Sequence, residues 1–251
     1  LRRCRNGRSK NIYTLMNPSS VRYEIRNRPA YSMLEVELLP GEAIEAEAGA
    51  MTYMTPNIQV STRMRQESFL TTLGLKILGG QSFFVNEYTA VNTVGRLALV
   101  SAPLGDMAHL RVGPNSGYII QKSSYVASSP TVDLDIKWQG FSRGLFGQGL
   151  FMIKVSGEGD LFINTFGALE KISLKPGEEM LVDNFHLAAF SDSCRYEVRK
   201  FGGLKSTILG GEGLVVAVKG PGEVYVQTKN PAEFAEWLWT LLDPYVRSRA
   251  R

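Results

Sequence analysis

Histidine is scarce in this chain of 251 residues, with only His109 and His186, and cysteine is equally so, with only Cys4 and Cys194. Neither histidine lies in an H-x-H, H-E-x-x-H or C-x-x-C setting, so the common zinc patterns are missing. Each histidine therefore reads as a hydrogen-bonded sheet residue rather than a metal ligand. Two cysteines cannot build a disulfide framework. No uncharged apolar run reaches the roughly 18 residues that a membrane-spanning helix needs. A basic surface is missing as well, despite the net charge of +4. The tails hold Arg2, Arg3, Arg5, Arg8, Lys10, Arg247, Arg249 and Arg251, and the remaining 20 Lys and Arg stand against 24 acids. A nucleic-acid binder needs clustered cations on its folded surface. The body of this chain is acidic instead, so nucleic acid is an unfavoured partner.

Glycine is plentiful, at 25 residues, and an apolar fraction of 44% with 21% charge suits an ordinary folded domain. The glycines recur in a pattern. One turn signal appears as Leu39-Pro40-Gly41-Glu42, Leu104-Gly105-Asp106 and Lys175-Pro176-Gly177-Glu178. A second opens an apolar run each time, at Gly79-Gly80-Gln81, Gly147-Gln148-Gly149 and Gly210-Gly211-Glu212. The stretch Val155–Ile163 also matches Val218–Val226 at an offset of 63 positions, each reading as a hairpin closed by a glycine loop. Such periodic turn signals between β-rich runs predict an all-β fold of three tandem units, 21–103, 104–173 and 174–229. No unit can bury a face alone, so the three are expected to close around a pseudo-threefold axis. Residues 1–20 read as a basic tail outside this domain, disordered or added by expression, with Met16 as a plausible start and a transit-peptide remnant as the alternative.

One helix is predicted, over residues 231–242. Asn230 is its N-cap, Pro231 takes the first helical position, and Glu233 falls at the capping-box position. Asp243-Pro244 is expected to end it, leaving 243–251 as a second basic tail.

No set of residues reads as catalytic, and no cofactor is implied. The glycines of Gly144–Gly149 precede a strand rather than a helix, so they do not form a phosphate loop. If the repeat brought Glu42, Asp106 and Glu178 together on the axis, they could bind a cation; the plainer reading is three solvated turns. A contact surface is the other candidate. Leu75, Ile77, Leu145, Phe146, Ile208 and Leu209 lie in corresponding apolar segments beside a lone Lys or Arg. They are read either as core strands or as one patch suited to a subunit interface or an anionic lipid surface.

The chain resembles the altered-inheritance-of-mitochondria 24 family, also known as domain of unknown function 124. The resemblance is carried by Val21–Ile25, by Leu39–Glu42 with Glu47–Met51, by Gly79–Phe84, and by the segment from Gly203 to Gly213. It implies a fold similar to the tryptophan RNA-binding attenuation protein, a ring-forming small β-sandwich, here in three fused copies. It further implies a homo-oligomer, a trimer favoured, and no catalytic residues. A mitochondrial relative would associate with the inner membrane, and a prokaryotic one would be cytoplasmic. The expected function is a non-catalytic assembly or scaffold protein that binds protein partners or a membrane surface. The alternative is a ring that binds a small ligand or RNA. Lys137, Lys154, Lys171 and Lys219 do not recur at equivalent repeat positions, which counts against RNA.

Overall fold

Alternation of apolar and polar residues sets the strands. In the stretch Met33–Leu38, Leu34, Val36 and Leu38 are fully buried while Met33, Glu35 and Glu37 face outward. A computed structural model describes residues 21–64, 84–101, 103–138, 151–200 and 214–249. It is mostly β-sheet, with a single α-helix at the C-terminal end among the described residues.

The strands fall into three successive runs. The first holds β1 (Arg22–Arg26), β2 (Met33–Leu38), β3 (Ala43–Glu47), β4 (Met51–Met54), β5 (Ile58–Met64), β6 (Phe84–Ala90) and β7 (Gly95–Leu99). The second holds β8 (Met107–Val112), β9 (Tyr118–Gln121), β10 (Tyr125–Ser128), β11 (Val132–Trp138), β12 (Phe151–Gly157) and β13 (Gly159–Asn164). The third holds β14 (Leu169–Leu174), β15 (Glu179–Asp183), β16 (Leu187–Ser191), β17 (Arg195–Lys200), β18 (Leu214–Lys219) and β19 (Gly222–Gln227). The helix α1 (Pro231–Arg249) follows.

All pairing between strands is antiparallel, and it follows one scheme. In the second run β13 pairs with β8 and β10, and β12 pairs with β9 and β11. The third run repeats this with β19 between β14 and β16, and β18 between β15 and β17. The first run does so with β7 between β2 and β4, and β6 between β3 and β5, and adds β1 outside β2. Neighbouring runs are joined by β3 with β10 and by β9 with β16. The result is four sheets, ordered β1-β2-β7-β4 (sheet I), β5-β6-β3-β10-β13-β8 (II), β11-β12-β9-β16-β19-β14 (III) and β15-β18-β17 (IV).

Three cores lie between successive sheets. Leu34, Leu97 and Leu99 of sheet I meet Ile44, Tyr88 and Phe162 of sheet II. Leu161 and Ile163 of sheet II meet Ile120, Ile153 and Val155 of sheet III. Phe190 and Val224 of sheet III meet Val182, Val216 and Val218 of sheet IV. Sheets II and III are thus covered on both faces, which is why all six residues of β13 are buried.

Several expectations change. β12 and β13 are not a hairpin, because they lie in sheets III and II; β18 and β19 likewise lie in sheets IV and III. The glycine corner carries the chain from one layer to the other: at Gly157, φ is 99°, and a Cβ there would stand 2.4 Å from the carbonyl oxygen of Thr131. β14, assigned by sequence to the end of the second unit, pairs with β19 and so groups with the third run. α1 passes through Pro244 rather than stopping before it. Proline removes its own N–H bond and crowds the carbonyl four residues earlier, a cost that the Asp243–Arg247 pair at 2.8 Å, spanning the spot on the helix surface, offsets only in small part. Asn230 does cap the helix, its side-chain oxygen accepting from the amides of Ala232 and Glu233. Both Trp237 and Trp239 are 57% exposed.

Candidate functional site: the unpaired strand edges

The joint between β3 and β10 sets Ala46 opposite Ala127 and Glu45 opposite Ser128. The joint between β9 and β16 sets Ile120 opposite Ala189 and Ile119 opposite Phe190. Each run thus offers one strand to the run before it and another to the run after it. On two strands of this kind, β4 and β15, the edge that would make such a joint meets no strand among the described residues. β4 is the outer strand of sheet I and β15 is the outer strand of sheet IV.

Their exposure reflects this. β4, β10 and β16 carry the same bulge at the same place, so they correspond residue by residue. β10 is buried throughout, and so are the first four residues of β16. In β4, Met51 is 41% and Tyr53 44% exposed. On the other side, Leu181 of β15 corresponds to Ile119 of β9. Ile119 packs against the core between sheets III and IV, whereas Leu181 is 52% exposed. Apolar side chains on an open strand edge are an invitation to pair with another chain, and natural folds avoid them unless they are used. Carrying the register of the two joints over, Met54 would face Leu181 and Tyr53 would face Val182.

Two buried carboxylates fix the start of the first run onto the second. Asp160 is fully buried and accepts from the Val21 amide at 2.8 Å, His109 Nε2 at 2.8 Å and Arg111 Nη1 at 3.0 Å. Burial pushes its carboxyl up, but these bonds outweigh it and hold the group below its ordinary range. The His109 ring also lies 4.7 Å from that of Tyr23 and 5.3 Å from that of Phe162. Asp106 accepts both guanidinium bonds of Arg28, at 2.7 and 2.8 Å, with Ser32 Oγ at 3.0 Å. Its carboxyl too is raised by burial and lowered further by Arg28, ending below the usual range. These are anchors. His186 has a comparable place, its Nδ1 lying 2.7 Å from the carbonyl of Gln227.

The three candidate axial carboxylates are not brought together. Glu42 and Glu178 each cap their own turn, accepting from the amides of Leu39 and Lys175 at 2.7 Å. Asp106 is held by Arg28. Among the described residues no group of three His, Cys, Asp or Glu could hold a metal ion. Leu104-Gly105-Asp106 proves to be a crossing segment between runs and not the counterpart of the other two turns. That counterpart is Gly113-Pro114-Asn115-Ser116, between β8 and β9, closed by reciprocal bonds between Gly113 and Ser116. The candidate contact residues Leu75, Ile77, Leu145, Phe146, Ile208 and Leu209 lie outside the described residues.

Sequence reasoning did not single out β4 or β15. The signal available was weak: Met51-Thr52-Tyr53-Met54 carries no charge to protect an edge, and Leu181 interrupts the alternation of β15.

A family model described as mitochondrial biogenesis AIM24 matches residues 23–229. An uncharacterised protein of Streptococcus pyogenes serotype M6 is 27% identical over 227 residues, covering 88% of this chain and 90% of its own length. A crystal structure of a Streptococcus pyogenes protein superposes with a TM-score of 0.72 at 27% identity, covering 90% of this chain and 99% of that one. Among the described residues, no helix is long and apolar enough to cross a membrane.

Proposed function

The chain belongs to the mitochondrial biogenesis AIM24 family, and we propose that it is a non-catalytic assembly protein whose copies join by pairing β4 of one with β15 of the next. The three runs are read as tandem β-sandwich units of the attenuation-protein kind. The next copy's first unit takes the place of a fourth. The observation that carries this is the contrast between β4 and its counterparts: the same strand is buried in β10 and β16, where a neighbour pairs with it, and exposed where none does. Joining the edges would combine sheets IV and I of two copies into the strand order already present in sheets II and III. It would also bring Leu181 against a core, as Ile119 is. Such a joint is head-to-tail, so it closes into a ring when the rotation allows and otherwise runs on as a filament. A trimer is the stoichiometry that the family resemblance favours.

Cysteine pairing tests this. Chains carrying Met54→Cys alone and Leu181→Cys alone, each with Cys4→Ser, are mixed and oxidised, then separated without reductant. Opposed residues of an antiparallel pair stand close enough for a disulfide, so covalent dimers of the two variants are expected. A chain carrying both substitutions that forms only an internal bond, at the mass of one chain, would show that the three units close on themselves. Sedimentation of the wild type gives the copy number.

A further inference from the structure

Beyond its first turn, α1 presents a face of large apolar side chains that stay exposed. Phe234 rests on Phe166 with ring centroids 5.2 Å apart. Beyond it, Trp237, Leu238, Trp239, Leu241, Leu242 and Tyr245 are all between 39% and 72% exposed. Most of these recur at three- and four-residue spacing, with Trp239 on the flank, while Glu233, Glu236, Thr240, Asp243 and Arg247 line the opposite side.

The place where α1 begins is informative. Each run is entered through a short segment, and these segments lie side by side. The Ser32 amide bonds the carbonyl of Gly105, Asp106 bonds Gly167, and Thr228 bonds Ala168. Ser32, Asp106 and Ala168 each stand one residue before the corresponding strands β2, β8 and β14. By the strand register, Gln227 corresponds to Asn164, so Asn230 corresponds to Gly167 and Pro231 takes the place of Ala168. If the next copy supplies the following unit, its Ser32 arrives where α1 departs. Tyr31, 69% exposed, and Leu104, 53% exposed, lie at that same corner.

We propose that α1 of one copy packs its apolar face over the first-run corner of the next copy, at Tyr31 and Leu104, and clasps the joint made by β4 and β15. This rests on the strand-pairing reading above. Large apolar side chains bury about 150–250 Å2 each when covered. Six of them, roughly half exposed, offer about 600 Å2, most of the ~800 Å2 that a partner contributes to a stable interface. Charge points to protein rather than lipid. Helices that lie on anionic membranes carry Lys and Arg along the polar face, whereas α1 has Glu233, Glu236 and Asp243 against Arg247 and Arg249.

The test compares the full chain with a Leu238→Ser, Leu241→Ser, Tyr245→Ser variant, following amide hydrogen exchange in the assembled state. In the wild type, the amides of Tyr31, Ser32, Leu104 and Gly105 are expected to exchange at least roughly tenfold slower than in the variant, while Met51–Met54 stays protected in both. Equal exchange at the corner, with β4 still protected, would overturn the clasp and leave strand pairing standing. Free exchange of β4 in the wild type, at the mass of one chain, would remove strand pairing and the clasp with it. Flotation of the wild type on phosphatidylglycerol–phosphatidylcholine vesicles that the variant loses, without any change at the corner, would assign the face to lipid and overturn the proposal.

Discussion

Replacing Asp160 tests the reasoning about the buried anchor most directly. Its carboxylate has a side-chain exposure of 1% and receives His109, Arg111 and the Val21 amide. Removing one member of a buried charged cluster costs about 3–5 kcal/mol when the others stay buried and unpaired. Here His109 and Arg111 keep 24% and 33% side-chain exposure and can regain water, so Asp160→Ala is expected near the lower end, at about 3 kcal/mol. Asp160→Asn keeps the shape and one acceptor and should cost about half of that. The pH dependence follows from the direction of the shift. A carboxyl held below its ordinary value in the folded state contributes stability that is complete above that value, near pH 4, and that is lost as pH falls through the folded one. Wild-type protein should therefore lose protection of β1 on acidification below about pH 4 by more than Asp160→Asn does. The assay is amide exchange at Arg22–Arg26 together with urea unfolding at pH 7 and at pH 3. Unchanged β1 exchange in Asp160→Ala at neutral pH, or identical acid sensitivity in wild type and Asp160→Asn, would refute the anchor.

Four more outcomes are expected. Gly105→Ala should melt far below the wild type or fail to accumulate, because its Cβ would sit 2.0 Å from the Thr165 carbonyl and 2.5 Å from that of Gly167; a wild-type melting curve would contradict the crossing geometry. Gly177→Ala, at φ 86° with open space around it, should cost only about 1 kcal/mol. Cys194 is buried, and burial pushes its thiol up, so a thiol reagent should label it at least about a hundredfold faster in urea than in the folded protein; equal rates would show an open site. Pro244→Ala restores a helix bond and should slow amide exchange across Thr240–Val246, with raised helicity by circular dichroism.

The strands themselves were legible because alternation is a local property: Leu34, Val36 and Leu38 announce a one-sided strand without reference to anything else. The helix start was equally local, resting on Asn230 and Pro231. The grouping of strands was harder. Asp106 follows a glycine, as Glu42 and Glu178 do, so it mimics their turn, and the mistake moved β14 into the wrong run. What separates the two cases is burial: Asp106 is buried and bound by Arg28, a residue 78 positions away. The Gly157 corner was misread for a similar reason. A positive φ suits both a hairpin and a step between layers, and only the partners of the following strand tell them apart.

From composition and spacing alone, the sequence determined that the chain is β-rich, that its turns recur, that a capped helix follows Asn230 and that familiar metal and disulfide patterns are missing. These properties depend on residues within a few positions of one another. Only the tertiary structure decided which strands lie side by side, and therefore which are left without a neighbour. β4 and β10 are both short and uncharged, yet one is exposed and the other buried, because β10 has β3 on its second edge while the second edge of β4 meets no strand among the described residues. Pairing is settled by backbone groups on strands distant in sequence, and those groups are the same in every residue.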